Sequence, residues 1–194
     1  MPAAAPGPAF IDVDWSLLPR PEDDGAARYL PGSRVPPVAL PATDGPSVEL
    51  GGLPGRTVVY VYPMTGRPGV ALPEGWDDIP GARGCTPQTC AFRDHHGELV
   101  AAGADRVFGL STQDTDYQHE AAQRLHLPFP LLSDAALRLT TAWRLPVMLV
   151  GGATLLKRMA LIIEDGVVAH VFYPVFPPDQ NAAEVLGWLR ARQE

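Results

Sequence analysis

Residues 158–173 constrain the fold more than any other part of the chain. Two runs of β-branched and other apolar residues flank the dipeptide Asp165-Gly166, a pattern that is a strong short-range signal of a β-hairpin. Much earlier, residues 57–62 form a β-branched and aromatic run that ends at Pro63 and is typical of a buried strand. These segments predict a sheet that combines a buried strand with a hairpin from far later in the chain.

Helical patterns separate the predicted strands. A helix predicted over residues 86–102 has Thr86 as its cap and Pro87 in its first turn, and Gly103 ends it. The order β-α-β-α-(β)-α-β-β-α predicts an α/β fold with a central mixed β-sheet and helices on both faces. The remaining predicted elements are strands over residues 105–110 and 129–132 and helices over residues 115–125, 133–143 and 181–192.

Two irregular segments are dense in proline and glycine. Residues 1–55 lack a periodic pattern and predict short extended pieces at residues 35–40 and 48–50, laid over the domain. Residues 64–84 predict a long loop that ends directly before Cys85. A loop of this length inside a compact domain is uncommon and often functional.

The length, composition and charge of the chain limit the classes of protein to which it can belong. The 194 residues suit a single domain with an appended arm, and the 46% of hydrophobic residues allow a sizeable core. A net charge of −7 argues against binding to nucleic acid or to an anionic membrane surface. No apolar run approaches the length of a membrane span, and the first residues lack the basic and apolar regions of a secretory signal. We therefore expect a soluble cytoplasmic protein, and its two cysteines are too few for a disulfide scaffold.

The two cysteines lie near the start of one predicted helix. Cys85 is at its N-terminus, where unpaired N–H groups and the helix dipole favour an anion, and we expect Arg83 and Arg93 to add positive charge nearby. Cys90 follows five residues later, which is about 7.5 Å along an α-helix and about 140° around it. A disulfide needs Cα atoms within about 7 Å and facing β-carbons, so an intact helix cannot hold this bridge. Either the cysteines never bond, or the first turns unwind in a redox switch in which a sulfenic acid on Cys85 condenses with Cys90.

Two other interpretations stay open on spacing alone. Free cysteines are commonly small buried apolar residues without a chemical role. Cys85, Cys90 and the pair His95-His96 would also allow a metal-binding module, although this cysteine spacing is not a common zinc pattern and adjacent histidines face different directions on a helix. We expect neither a metal nor an organic cofactor.

A family resemblance adds to these observations. The segment Gly84-Cys-Thr-Pro-Gln-Thr-Cys-Ala-Phe-Arg-Asp94 resembles the active-site segment of the bacterioferritin-comigratory, or Q-type, peroxiredoxins. The likeness continues through residues 58–63, 108–112 and 127–134, and covers roughly residues 32–192. It implies a thioredoxin-like fold over residues 32–194, preceded by an N-terminal arm over residues 1–31, and thiol-dependent reduction of hydrogen peroxide and organic hydroperoxides.

The resemblance also implies a role for individual residues. Cys85 matches the peroxidatic cysteine, Cys90 the resolving thiol, and Arg158 the arginine that holds the thiolate and the peroxide oxygen. A planar and permanently charged donor is suited to that last role. A thioredoxin-like dithiol protein is the expected reductant, and we expect a monomer or a weak homodimer.

The chain departs from the family pattern before the first cysteine. The family has threonine or serine three residues before that cysteine and proline four residues earlier, whereas this chain has Ala82 and Asp78 there. Pro63 and Thr65 instead precede the long loop, which makes the interval about fifteen residues longer. We expect either that Thr65 folds back to donate its hydroxyl to the peroxide or that backbone N–H groups near Gly84 suffice. Because of this departure, a second function with the same fold stays open beside the peroxidase, that of a dithiol-disulfide oxidoreductase or a redox-sensing protein.

Overall fold

The computed structural model describes residues 13–193. Within that range seven strands form one sheet and two more form a separate hairpin. The strands are β1 (Ala39–Ala42), β2 (Gly45–Glu49), β3 (Arg56–Val61), β4 (Arg106–Ser111), β5 (Leu131–Ser133), β6 (Val147–Val150), β7 (Ala153–Leu156), β8 (Met159–Glu164) and β9 (Val167–Phe172). The α-helices are α1 (Cys85–Asp94), α2 (His96–Ala101), α3 (Thr115–Arg124), α4 (Arg138–Trp143) and α5 (Asn181–Arg190).

The main sheet has the strand order β2-β1-β5-β4-β3-β8-β9. Strand β3 lies between β4, which is parallel to it, and β8, which is antiparallel. Along β3, Val58 and Tyr60 enter one core, while Val59 and Val61 enter the other. Side chains of α1, α2 and α5 complete the first core and side chains of α4 the second. The predicted mixed sheet with helices on both faces is therefore confirmed.

The register of the central strands brings two distant parts of the chain together. Val61 at the end of β3 pairs with Met159 at the start of β8. The loop to α1 begins at this end of the strands, and Arg158 directly precedes β8 at the same end. Strand pairing therefore aligns Arg158 with the loop that delivers Cys85.

Two helix predictions need correction. The helix predicted over residues 86–102 begins one residue earlier, with Gly84 as its cap in place of Thr86, and it is interrupted at His95. His95 has a φ of −90° and a ψ of 2°, so it leaves the helical conformation, and Gly97 close by has a low helix propensity. The helix predicted from residue 133 begins only at Arg138.

Asp134 explains the late start of α4. Its buried carboxylate accepts hydrogen bonds from the backbone N–H groups of Leu139 and Thr140 and from the Thr140 hydroxyl. Leu137 adopts a φ of 55°, which takes the intervening residues out of the helix. The aspartate thus satisfies the free donors of the helix start from several residues away, rather than as the adjacent cap.

The hairpin of β6 and β7 was not predicted, and it supports the long loop. It carries Val150 and Leu155, which form a third, small core with Trp76 and Ala82 of that loop. Met64, Leu72, Ile79 and Met148 pack around this core. The loop of residues 64–84 therefore has a small hydrophobic core of its own, separate from the two cores of the main sheet.

The predicted arm over residues 1–31 falls partly outside the described residues, which begin at residue 13. Trp15 packs against Gly84, and its indole N–H donates to Asp179 at 3.1 Å. The Asp24 carboxylate accepts hydrogen bonds from Lys157 at 2.6 Å and from the Tyr173 hydroxyl at 2.7 Å. These contacts attach residues 13–31 at Gly84, directly before α1, and at Lys157, directly before Arg158.

None of the helices between residues 13 and 193 is both long and apolar enough to cross a membrane.

Candidate active site

Cys85 is the first residue of α1 and lies next to Arg158. Its Sγ accepts a hydrogen bond from Arg158 Nη2 at 3.2 Å and lies 3.7 Å from the carbonyl oxygen of Ala82. Gly84, the residue before it, has a φ of 114°, and a Cβ there would come within 2.6 Å of Pro178. Only glycine fits such a close approach in a left-handed conformation. The thiol is 3% exposed, so the helix start and the guanidinium form a largely enclosed site.

Arg158 is held by the end of the long loop as well as by α1. Its Nη2 donates to the carbonyl oxygens of Ala82 at 2.9 Å, Gly81 at 3.2 Å and Arg83 at 3.3 Å. The guanidinium is therefore fixed between the backbone of the loop and the cysteine sulfur. A permanent positive charge in this position stabilises a thiolate more than a thiol.

A buried chain of hydrogen bonds supports Arg158 from the other side. Arg158 Nη1 donates to Gln88 Oε1 at 2.6 Å, and Gln88 Nε2 donates to Asn181 Oδ1 at 2.9 Å. Arginine has donors only, so Gln88 must turn its oxygen to Arg158 and Asn181 must present its own oxygen to Gln88. All three side chains are buried, so the direction of every hydrogen bond in this chain is fixed.

Cys90 lies further along the same intact helix and is free, as is Cys85. Burial raises the pKa of the Cys90 thiol above its ordinary value, and the nearby charge of Arg93 offsets part of this rise. Since α1 is continuous from Cys85 to Asp94, the separation of about 7.5 Å along the axis holds in this state. A bond between the two sulfurs requires the first turns of α1 to unwind.

Thr65 lies in the same region but its hydroxyl is bonded elsewhere. Its Oγ1 donates to Gln113 Oε1 at 3.2 Å, its backbone N–H donates to the same oxygen, and Gln113 Nε2 donates back to the Thr65 carbonyl oxygen. The neighbours Met64 and Gly66 line the crevice at Cys85. Contact between Thr65 and a peroxide stays a prediction. No local pattern in the sequence connects Thr65 with Gln113, because the two residues are 48 positions apart.

The two other expected arginines are paired with carboxylates, and Arg83 also lines the crevice at Cys85. Arg83 pairs with Asp77 at 3.0 Å, and Arg93 pairs with Asp94 at 2.8 Å. His95 contacts Glu98, whereas the ring of His96 packs against Phe129. Among the described residues, no three histidine, cysteine or acidic side chains gather into a group suited to a metal ion.

The chain is similar in sequence to one family of known proteins. The family described as Redoxin matches residues 30–186. The chain is 35% identical over 162 residues to the chloroplastic peroxiredoxin Q of Oryza sativa subsp. japonica, and covers 66% of its length, slightly under two thirds. It is 32% identical over 192 residues to the chloroplastic peroxiredoxin Q of Gentiana triflora, a match over 95% of this chain and 80% of that protein.

Solved structures share the fold. Peroxidoxin BcpB from Mycobacterium tuberculosis superposes with a TM-score of 0.64 at 27% identity, over 83% of this chain and 96% of that chain. The bacterioferritin comigratory protein of Xanthomonas campestris, whose structure was described for its alkyl peroxide reduction activity, superposes with a TM-score of 0.61 at 22% identity, over 81% of this chain and 92% of that chain.

Proposed function

The chain belongs to the redoxin family as a peroxiredoxin of the Q type, and on this premise we propose that it is a thiol peroxidase that reduces hydrogen peroxide and organic hydroperoxides. The observation that carries the proposal is the hydrogen bond from Arg158 to the sulfur of Cys85 at the start of α1. Thiolates are the reactive form of cysteine, and a guanidinium together with a helix N-terminus stabilises one.

In the first step the Cys85 thiolate attacks one oxygen of the hydroperoxide. An S–O bond forms with an electron pair from sulfur, the O–O bond breaks, and the leaving oxygen takes up a proton to depart as an alcohol or as water. Sulfur is oxidised to a sulfenic acid while the peroxide is reduced. Arg158 donates hydrogen bonds to the reacting atoms, where negative charge moves from sulfur to oxygen.

In the second step the Cys90 sulfur attacks the Cys85 sulfenic acid. An S–S bond forms, the S–O bond breaks, and the hydroxyl leaves as water with the proton of the Cys90 thiol. The distance along the intact α1 requires the helix start to unwind first. Thr65 stays in this proposal as a peroxide contact, for which its hydroxyl has to leave Gln113.

A dithiol protein of the thioredoxin kind closes the cycle. Its two thiols reduce the Cys85–Cys90 disulfide by exchange and become a disulfide themselves. We propose the cytoplasm as its location, in keeping with two free cysteines, and a monomer or a weak homodimer as its state. The match to named peroxiredoxins supports a peroxidase over the alternative of a redox sensor.

Peroxide consumption by single cysteine variants tests the proposal. We expect the wild-type chain to consume one equivalent of hydrogen peroxide rapidly in stopped flow, and Cys85→Ser to lose this reaction. Cys90→Ser should keep the first oxidation but lose the bond between the cysteines. In mass spectrometry, a loss of two hydrogens in one peptide that contains both cysteines is expected for the wild type only. Equal, slow reaction of wild type and Cys85→Ser would refute the assignment of the nucleophile.

A further inference from the structure

The crevice at Cys85 is very small. It has a volume of about 10 Å³, and its lining includes Cys85, Met64, Leu72 and Trp76. A cavity of roughly 10–15 Å³ holds a single water molecule. An oxygen atom of a peroxide can approach the sulfur in this space, but a bulky substituent on that peroxide has no room.

A much larger hollow borders two of the same residues. It has a volume of about 300 Å³, and its lining includes Pro73, Gly75, Asp77 and Asp78. Trp76 and Leu72 line both spaces. The two spaces are therefore neighbours, and we infer that Leu72 and Trp76 form a wall between them, of which the indole is the larger part.

Trp76 is firmly held in this wall. It is 4% exposed and belongs to the small core with Ala82, Val150 and Leu155. Its backbone N–H donates to the Pro73 carbonyl oxygen at 3.1 Å. The ion pair between Asp77 and Arg83, at 3.0 Å, ties the residue after Trp76 to the end of the loop.

We propose that Trp76 sets which hydroperoxides reach Cys85, admitting hydrogen peroxide and slender alkyl hydroperoxides and excluding those with a bulky group next to the O–O bond. This inference rests on the proposed peroxidase function and names the selectivity of the same site. Trp76 lies in the segment that lengthens the chain before Cys85, so the selectivity belongs to the enlarged loop. Loss of the indole joins the crevice to the outer hollow and provides the space that a bulky substituent needs.

The first test compares hydroperoxides of different size. In Trp76→Ala we expect kcat/KM for cumene hydroperoxide, relative to that for hydrogen peroxide, to rise about tenfold, the scale at which apolar pockets discriminate by size. Trp76→Phe should give a smaller rise in the same ratio, and it keeps an aromatic residue in the small core if the alanine variant folds poorly. The matched control is Val150→Ala, which weakens the same core but leaves the wall in place, and its ratio should equal that of the wild type.

The second test does not depend on peroxidase activity. In the Cys90→Ser background only Cys85 reacts, so its alkylation by iodoacetamide and by N-phenylmaleimide can be followed by mass spectrometry. We expect Trp76→Ala to raise the rate with the bulky maleimide relative to iodoacetamide, again by about tenfold. If the wild-type chain consumes no hydroperoxide but the alkylation ratio still changes in Trp76→Ala, the proposed peroxidase function is wrong. The conclusion that Trp76 restricts access to Cys85 would then still hold.

Two results would overturn the inference itself. One is a hydroperoxide ratio that stays unchanged in both Trp76 variants, or an alkylation ratio that stays unchanged in Trp76→Ala. The other is an equal rise in Val150→Ala, which would mean that loosening of the loop, rather than the indole, controls access to Cys85.

Discussion

The guanidinium of Arg158 contacts the sulfur of Cys85 at 3.2 Å although the two residues are 73 positions apart in the chain. Two features of the fold produce this contact. The antiparallel pairing of β3 with β8 brings Arg158 to the end of β3, where the long loop begins. The loop then returns to the same end of these strands, where the carbonyl oxygens of its last residues accept hydrogen bonds from Arg158.

Arg158→Lys should lower kcat/KM for hydrogen peroxide by about 10²–10³-fold, the usual cost of removing one preorganised donor to developing charge. A lysine ammonium is a compact point charge and cannot bind Gln88, the loop carbonyls and the sulfur at once. Stopped-flow peroxide consumption measures the effect. Lys157→Arg is the matched control, because Lys157 pairs with Asp24 instead of Cys85, and its rate should match that of the wild type. Equal rates for Arg158→Lys and wild type would contradict the role of Arg158.

Gln88→Leu should lower both stability and activity. It leaves Arg158 Nη1 and Asn181 Oδ1 buried without a partner, which costs about 1–3 kcal/mol of unfolding free energy for each lost buried partner. Gln88→Glu keeps an acceptor for Arg158 and should retain more of the peroxidase rate than Gln88→Leu. Urea unfolding and stopped flow measure the two effects. If the leucine variant reacts as fast as the glutamate variant, the hydrogen-bond chain does not position Arg158.

Cys90 should make stability fall at alkaline pH. Burial raises the pKa of its thiol in the folded state, so the unfolded chain loses this proton at a lower pH than the folded chain does. The contribution to stability is complete below the ordinary thiol value of about 8.5 and is lost as pH rises above it. Urea unfolding at pH 7 and pH 10 should show a larger fall for wild type than for Cys90→Ser. Parallel falls in the two proteins would argue against this linkage.

Asp24→Asn should weaken the attachment of residues 13–31 at neutral pH. Hydrogen bonds from Lys157 and then from Tyr173 hold the pKa of the Asp24 carboxyl well below its ordinary value. A lowered pKa stabilises the folded state above the ordinary value of about 3.9, and this stabilisation is lost as pH falls below it.

Because Asp24 is exposed, we expect a loss of only about 0.5–1 kcal/mol at pH 7 in urea unfolding. The difference from wild type should shrink below pH 4. Glu22→Gln, an exposed acid two positions earlier, is the control and should unfold as wild type does. A difference that stays constant down to pH 2 would assign the effect to something other than the charge of Asp24.

Local patterns predicted the parts of the fold that depend on neighbouring residues. The β8–β9 hairpin at Asp165-Gly166 and the helix that carries both cysteines follow from such patterns. The hairpin of β6 and β7, which was not predicted, also has a local signal, Gly151-Gly152 between two apolar runs. Gly-Gly at a two-residue turn is a known hairpin pattern.

The tertiary partners in the site had no such signal. The pairs Gln88–Asn181 and Thr65–Gln113 connect residues 93 and 48 positions apart. Their contacts depend on how α5 and the long loop pack against α1 and the main sheet, which single-sequence periodicity does not encode. The late start of α4 is likewise set by a side chain that reaches across turns, that of Asp134.

The small core under the long loop can accept substitutions that leave the main sheet unchanged. Trp76, Val150 and Leu155 share no core cluster with the strands that hold Arg158 in register. Substitutions among them can reshape the approach to the thiol while the pairing of β3 with β8, which brings Arg158 to the site, stays in place. Selectivity thus depends on the small core and the register of Arg158 on the main sheet, and the two meet at Ala82, which belongs to the small core and accepts a hydrogen bond from Arg158.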